Sequence, residues 1–93
     1  MSRELPIPDS VQADVGAVEL IRVWAVHKKQ HITLATGVWE NPAAWGIMLA
    51  DLARHIANSY SQTGQIDYSQ ALASIRDGFD AEWASPTDQP LKQ

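Results

Sequence analysis

Cysteine is absent from the 93 residues of this chain. Neither a disulfide framework nor a thiolate metal site can therefore support the fold, which must rely on packing and on partners. A run of about 18 apolar residues, which a membrane-spanning helix requires, is also missing, and the N-terminus lacks the apolar core of a signal peptide. These absences predict a small cytoplasmic protein that does not enter a membrane.

Positive charge is scarce as well. Seven Lys and Arg residues stand against eleven Asp and Glu residues, and the net charge is −4. A protein that neutralises phosphate groups needs a basic stripe, so nucleic-acid binding is disfavoured. The five glycines are isolated rather than grouped in a phosphate-binding loop, and no serine lies in a nucleophile elbow. We therefore expect no catalytic residue, no cofactor and no metal ion.

Tryptophan, in contrast, is abundant for so short a chain. The four tryptophans are Trp24, Trp39, Trp45 and Trp83. Each can bury a large area, and each carries an indole N–H that needs an acceptor when it is buried. We expect these side chains to anchor the core or an interface.

The distribution of proline, glycine and apolar residues divides the chain into three parts. Residues 1–16 contain two prolines and a glycine, which predict an extended arm with a turn. Residues 17–85 carry the periodic apolar patterns of a single α+β domain. Residues 86–93 contain two prolines and few apolar residues, and they predict a flexible C-terminal tail.

Two runs rich in β-branched and aromatic residues predict a β-hairpin. The runs cover residues 17–27 and 31–36. A register that sets His27 opposite His31 puts Trp24 beside Leu34 on the expected core face. Because the connection lacks the Gly or Asn that short turns favour, we expect a loop of at least three residues over 28–30.

Two amphipathic helices are predicted after the hairpin. Asn41 is a suitable N-cap with Pro42 in the first turn, and Gly64 is a suitable stop about five turns later. Asp67 caps the second helix, which ends at the proline of the pair 85–86. We expect both helices to pack on one face of the hairpin.

The first helix carries a broad apolar stripe at helical spacing. Its members are Trp45, Met48, Leu49, Leu52, Ala53, Ile56 and Tyr60. Ile47 falls on the polar side, where it is free to meet a partner. A two-stranded hairpin leaves an unpaired edge and a half-apolar second face, so we predict a homodimer that joins two hairpins into one four-stranded sheet. A third strand from residues 1–16 is the alternative.

Two pairs of residues have spacings suited to chemistry. His27 and His31 could share a metal ion or a proton, although two exposed histidines beside a Lys-Lys turn give the same pattern. Asp51 precedes His55 by four residues, so the carboxylate could orient the imidazole on the helix surface. A solvated helix face is the preferred interpretation, because no nucleophile accompanies the pair.

Arg22 and the tryptophans beside residue 42 are further candidates for a binding site. Arg22 lies in an apolar strand and needs an anion, a carboxylate such as Glu40 or Asp80, or a structural ion pair, which we favour. Trp39 and Trp45 flank the start of the first helix and could form an aromatic wall for a ligand. They could equally wedge the hairpin against the helix.

Three segments together resemble a family of small proteobacterial proteins classed as a domain of unknown function. The segments cover residues 19–24, 39–55 and 79–83, and the second contains the junction Trp-Glu-Asn-Pro-Ala-Ala-Trp-Gly. The resemblance extends over about residues 15–88. It implies a stand-alone bacterial cytoplasmic protein, and it carries no activity, cofactor or catalytic residue.

These patterns predict an uncharacterised bacterial accessory or interaction module that is not an enzyme and that forms a homodimer. The alternative is a small-molecule binder with a pocket between the hairpin and the helices. That pocket would be lined by Trp24, Trp45 and Tyr60 and gated by Arg22 or His55.

Overall fold

The computed structural model of the protein describes residues 3–87. The chain divides into two compact units, Met1–Glu40 and Asn41–Gln93. The elements are α1 (Asp9–Gln12), β1 (Ile21–Val26) and β2 (Lys29–Leu34) in the first unit, and α2 (Ala43–Gln62) and α3 (Tyr68–Ala84) in the second. The hairpin followed by two long helices confirms the predicted α+β class.

The arm before the hairpin contains one helical turn, α1. Pro8 stands immediately before this turn, where its missing N–H costs nothing, and its carbonyl accepts from the Val11 N–H at 3.0 Å. Within residues 3–87 the sheet has two strands, so the described part of the arm adds no third strand. The predicted tail over residues 86–93 lies almost entirely outside the described residues.

The hairpin turn is tighter than we predicted. It consists of His27 and Lys28 alone, and both have positive φ, 50° and 66°, as the type I′ turns of two-residue hairpins require. Trp24 therefore pairs with His31 rather than with Leu34, and the predicted register is wrong by three residues. Since three is an odd number, every β2 side chain lies on the face opposite to the predicted one.

Apolar cross-strand pairs explain the observed register. Val23 lies opposite Ile32, and Ile21 lies opposite Leu34, so four aliphatic side chains share one face of the hairpin. Such pairs stabilise a sheet by fractions of a kcal/mol each, roughly 0.2–1 kcal/mol. They compensate for a turn whose two residues are not the Asn and Gly that positive φ favours.

Local capping sets the bounds of α2. The side-chain oxygen Oδ1 of Asn41 accepts from the Ala43 N–H at 3.0 Å, so α2 begins one residue after the predicted start. At the other end Gly64 has φ +77°, and the N–H groups of Gly64 and Gln65 donate back to carbonyls of the last turn. This is a Schellman motif, and it confirms the predicted stop.

The start of α3 is also as predicted. Oδ1 of Asp67 accepts from the Gln70 N–H at 2.9 Å, which satisfies one of the free donors of the first turn. The helix ends at Ala84, just before the Ser-Pro pair. Neither α2 nor α3 is long and apolar enough to cross a membrane, and the same holds for the rest of the described chain.

The fully buried residues of the second unit are small. Ala57 of α2 and Ala71 of α3 are the residues of the described chain that are buried from solvent. The larger apolar side chains of α2 and α3 are half-buried or exposed.

Candidate interaction surfaces

The first unit contains an open cavity of about 580 Å³, here called the arm cavity, between the N-terminal arm and β1. Prolines and aliphatic residues of the arm face β1 because they carry no charge and Pro has no N–H to satisfy. The apolar residues that line it include Leu5, Ile7, Val11, Val18, Val23 and Trp24. Charged groups stand at one side of the cavity.

Arg22 holds these charged groups together. Its Nε donates to Oε1 of Glu19, and its Nη2 donates to Oε2 of the same carboxylate at 3.3 Å. Oε2 of Glu4 lies 3.6 Å from Nη1. The hydrogen bond to Glu19, the charge of Glu19 and the charge of Glu4 raise the pKa of Arg22 above its usual value.

Arg22 is thus a structural ion-pair residue, the role we favoured, but its partners differ from those we named. It joins Glu4 of the arm to Glu19, two residues before β1, instead of reaching Glu40 or Asp80. An anionic ligand at this guanidinium would have to displace two carboxylates. The arm cavity therefore presents apolar walls and a cation that is already neutralised.

The second unit contains a larger open depression of about 1000 Å³, here called the helix groove. Its lining residues come from positions 42–54, at the start and in the N-terminal part of α2, and from positions 68–83, along almost the whole of α3. Its principal apolar lining residues are Trp45, Leu49 and Ala53 from α2 and Leu72, Phe79 and Trp83 from α3.

An aromatic pair stands at the C-terminal end of the helix groove. The rings of Phe79 and Trp83 stack with centroids 5.6 Å apart and an interplanar angle of 22°. Trp83 is 78% exposed and Phe79 is 47% exposed. Tryptophan is usually well buried in a folded protein, so the exposure of Trp83 is unusual.

The charged residues at the rim of the helix groove are paired within their own helices. Arg54 donates to Asp51 at 3.1 Å. Arg76 donates to both carboxylate oxygens of Asp80 at 3.0 and 3.1 Å. These pairs at spacings of three and four residues leave the rim without a local excess of one sign.

The structure distributes the predicted site residues over both units. Arg22 and Trp24 line the arm cavity, and Trp45 lines the helix groove. Trp39 is half-buried in the first unit, in the segment between β2 and the second unit. His55 belongs to α2 and is exposed.

Ile47 and Tyr60 are exposed on α2 and do not belong to the lining of the helix groove. Asp51 binds Arg54, so the described contacts do not join it to His55 in the dyad that the spacing allowed. His27 lies in the hairpin turn and His31 lies opposite Trp24, which removes the predicted pairing of the two histidines. Within residues 3–87, no three His, Asp or Glu side chains come together in a manner that could hold a metal ion.

Sequence reasoning missed the roles of Phe79 and Trp83. Their spacing on α3 predicts an apolar stripe, and a stripe of that kind is normally covered by the rest of the domain. Their own spacing gives no indication that these two side chains remain exposed to solvent. Only the structure shows it: Ala57 and Ala71 are the buried residues of the second unit within the described chain, whereas Phe79 and Trp83 are exposed.

Comparison with known proteins places the chain in a family. Residues 4–87 match the family described as "Domain of unknown function (DUF5076)". A solved structure from the photosynthetic bacterium Rhodopseudomonas palustrus CGA009, named "putative pyruvate dehydrogenase", is 30% identical to the chain and has a TM-score of 0.77. The alignment covers 100% of this chain and 95% of that chain. No curated protein matches the chain. The chain therefore belongs to the DUF5076 family, as its resemblance to a family of unknown function implied.

Proposed function

We propose that this protein is a non-enzymatic cytoplasmic interaction module that works as a homodimer. The observation that carries the proposal is the helix groove, an open apolar surface flanked by a Trp83 side chain that is 78% exposed. Contiguous apolar surface of this kind on a small protein is typical of sites that bind another protein.

The small amount of fully buried apolar surface in the second unit supports the binding of a partner. Ala57 and Ala71 are its fully buried apolar residues within the described chain, and alanine contributes little burial. Complete burial of a large side chain such as Phe79 contributes roughly 1.5–3 kcal/mol. A domain of this size has a stability of roughly 5–10 kcal/mol, so covering a few such side chains is a large fraction of the total.

The charged groups near both surfaces support a role other than catalysis. The Arg22 guanidinium is held by Glu19, and Arg54 is held by Asp51. A general acid or base must reach the proton that it transfers, and a nucleophile needs a base beside it. These groups instead bind each other across short spacings of the chain.

The name of the Rhodopseudomonas structure suggests the competing enzymatic function. A pyruvate dehydrogenase oxidises pyruvate, so the chain can be incubated with pyruvate, thiamine diphosphate, Mg²⁺ and the electron acceptor ferricyanide while the loss of ferricyanide absorbance is followed. We expect no rate above that of the same mixture without protein. A rate proportional to protein concentration would overturn the non-enzymatic part of the proposal.

The homodimer is tested by light scattering after size exclusion, with the loaded concentration varied by about a hundredfold. We expect a molar mass of twice 10.3 kDa that falls only at the lowest concentrations. A mass of 10.3 kDa over the whole range would refute the homodimer. It would leave a monomer whose helix groove binds a different protein.

The arm cavity supports a second candidate function, the binding of a small molecule. Its volume of about 580 Å³ lies within the range of roughly 300–1,000 Å³ that ligand pockets occupy. A thermal-shift screen of small apolar compounds tests this candidate, with Trp24→Ala as the matched variant. A compound that raises the melting temperature of the wild type but not of Trp24→Ala would support it.

A further inference from the structure

We infer that the helix groove is the surface at which a second copy of this chain binds, with the Phe79–Trp83 pair of each copy seated in the groove of the other. The inference rests on the proposed homodimer and assigns it a surface. It differs from the dimer of joined hairpins that the sequence suggested, because it uses the second unit and not the strand edges.

The second unit has an exposed aromatic pair and an open groove on the same surface. A closed dimer with two-fold symmetry presents the same patch twice, so that patch must contain both a projecting feature and a recess that accepts it. The stacked rings of Phe79 and Trp83 project at the end of α3, and the helix groove of about 1000 Å³ begins beside them. Both features therefore belong to one surface of one unit.

Four large side chains of the groove supply about half of the area that each partner of a dimer contributes. Leu49, Tyr68, Phe79 and Trp83 line the groove and are 45%, 37%, 47% and 78% exposed. With about 200 Å² for each large side chain, these four alone expose roughly 400 Å² of surface. A specific interface takes about 800 Å² from each partner, and the other lining residues of both helices are available for the remainder.

The charges at the rim favour a second copy over a strongly charged partner. The chain carries a net charge of −4, so two copies repel each other at a distance. At the groove the rim pairs Arg54–Asp51 and Arg76–Asp80 are each neutral, and so they impose no local repulsion between copies. A highly acidic or basic peptide would find no complementary charge there.

Substitution of the exposed tryptophan tests the inference. In Trp83→Lys a charge replaces the projecting ring, and Ile47→Lys introduces the same charge at a 67% exposed apolar site of α2 outside the groove. By light scattering we expect Trp83→Lys to have half the mass of the wild type, and Ile47→Lys to have an unchanged mass. Far-UV circular dichroism must show the helical signal of the wild type in both variants.

Alkylation of a single introduced cysteine provides a second measurement, and the absence of native cysteine makes it specific. Ala73 lines the groove, whereas Asn58 of α2 does not. We expect Ala73→Cys to react with iodoacetamide at least about tenfold more slowly than Asn58→Cys at dimeric concentrations, and the difference to vanish on dilution. If Trp83→Lys loses its helical signal, its mass no longer reports on the interface, and the alkylation rates of the two cysteine variants test the inference instead.

The outcomes separate the inference from the proposed function. A monomeric wild type overturns both. A dimeric wild type whose mass is changed by Ile47→Lys and not by Trp83→Lys overturns the inference alone, as does equal alkylation of both cysteines at all concentrations. A monomeric wild type that gains mass only with an added amphipathic peptide would show a groove suited to another protein, and it would also overturn the inference.

Discussion

At the scale of single residues, the hairpin turn has a backbone conformation that its two residues do not favour. His27 and Lys28 both adopt positive φ, which L-amino acids other than Gly, Asn and Asp rarely accept. The conformation persists because the strands on either side form aliphatic pairs only in this register. The pairing of the strands therefore offsets the backbone strain of the turn.

Replacement of Lys28 by glycine relieves that strain. We expect Lys28→Gly to raise the free energy of unfolding by about 0.5–1 kcal/mol, since the left-handed conformation costs glycine nothing. Lys29→Gly is the control, because Lys29 is paired with Val26 in the strands and should lose about the same amount. Urea denaturation measures both, and a loss of stability in Lys28→Gly would contradict the strained turn.

At the scale of secondary-structure elements, the helix ends are determined by groups close to them in the chain. The Asn41 and Asp67 carboxamide and carboxylate oxygens each accept from an N–H two or three residues later. Gly64 closes α2 with a left-handed conformation. These contacts need no distant residue, and for that reason the helices could be predicted to within a residue or two.

Two glycines of the second unit should respond in opposite ways to the same substitution. Gly64 has φ +77°, so Gly64→Ala should lower the free energy of unfolding by about 1 kcal/mol. Gly78 lies inside α3 with no heavy atom within 4 Å of an added Cβ, so Gly78→Ala should raise it by about 0.5–1 kcal/mol. Thermal denaturation followed at 222 nm compares them, and effects of the same sign would be inconsistent with this assignment.

At the scale of the whole molecule, the main feature is how few side chains of the described chain are fully buried from solvent. Both helices have a clear apolar side in the sequence, yet the fully buried residues of the described chain are two alanines. In the proposed homodimer, the exposed side chains of Trp83 and Phe79 are buried by association. Stability and assembly should therefore be coupled.

The coupling predicts a melting temperature that depends on protein concentration. For the wild type we expect the melting temperature to rise by a few degrees, about 3–6 °C, over a hundredfold increase in concentration, because mass action favours the folded dimer. Trp83→Lys should show a lower and constant value, and Ile47→Lys should follow the wild type. Differential scanning calorimetry makes the comparison, and a constant melting temperature in the wild type would exclude a folding-coupled dimer.

Features that depend on residues close together in the sequence could be predicted, whereas features that depend on contacts between distant residues could not. The α+β class, the caps at Asn41 and Asp67 and the stop at Gly64 could be read from neighbouring residues. The hairpin register could not, because the turn residues favoured a longer loop while the pairing of Val23 with Ile32 decided the outcome. In the same way, the spacing of Asp51 and His55 permitted a contact, but Arg54 is the partner that the helix geometry brings to Asp51.

The sequence by itself determined the type and order of the elements, the family and the absence of cysteine-based sites, because each depends on composition or on residues a few positions apart. Only the tertiary structure decided the strand register, the partners of Arg22 and the open helix groove. Each of these features depends on contacts between residues that are distant in the sequence, and on how much apolar surface those contacts leave exposed. Periodicity identifies an apolar face, but only the structure shows that Ala57 and Ala71 are buried while Trp83 on α3 stays exposed.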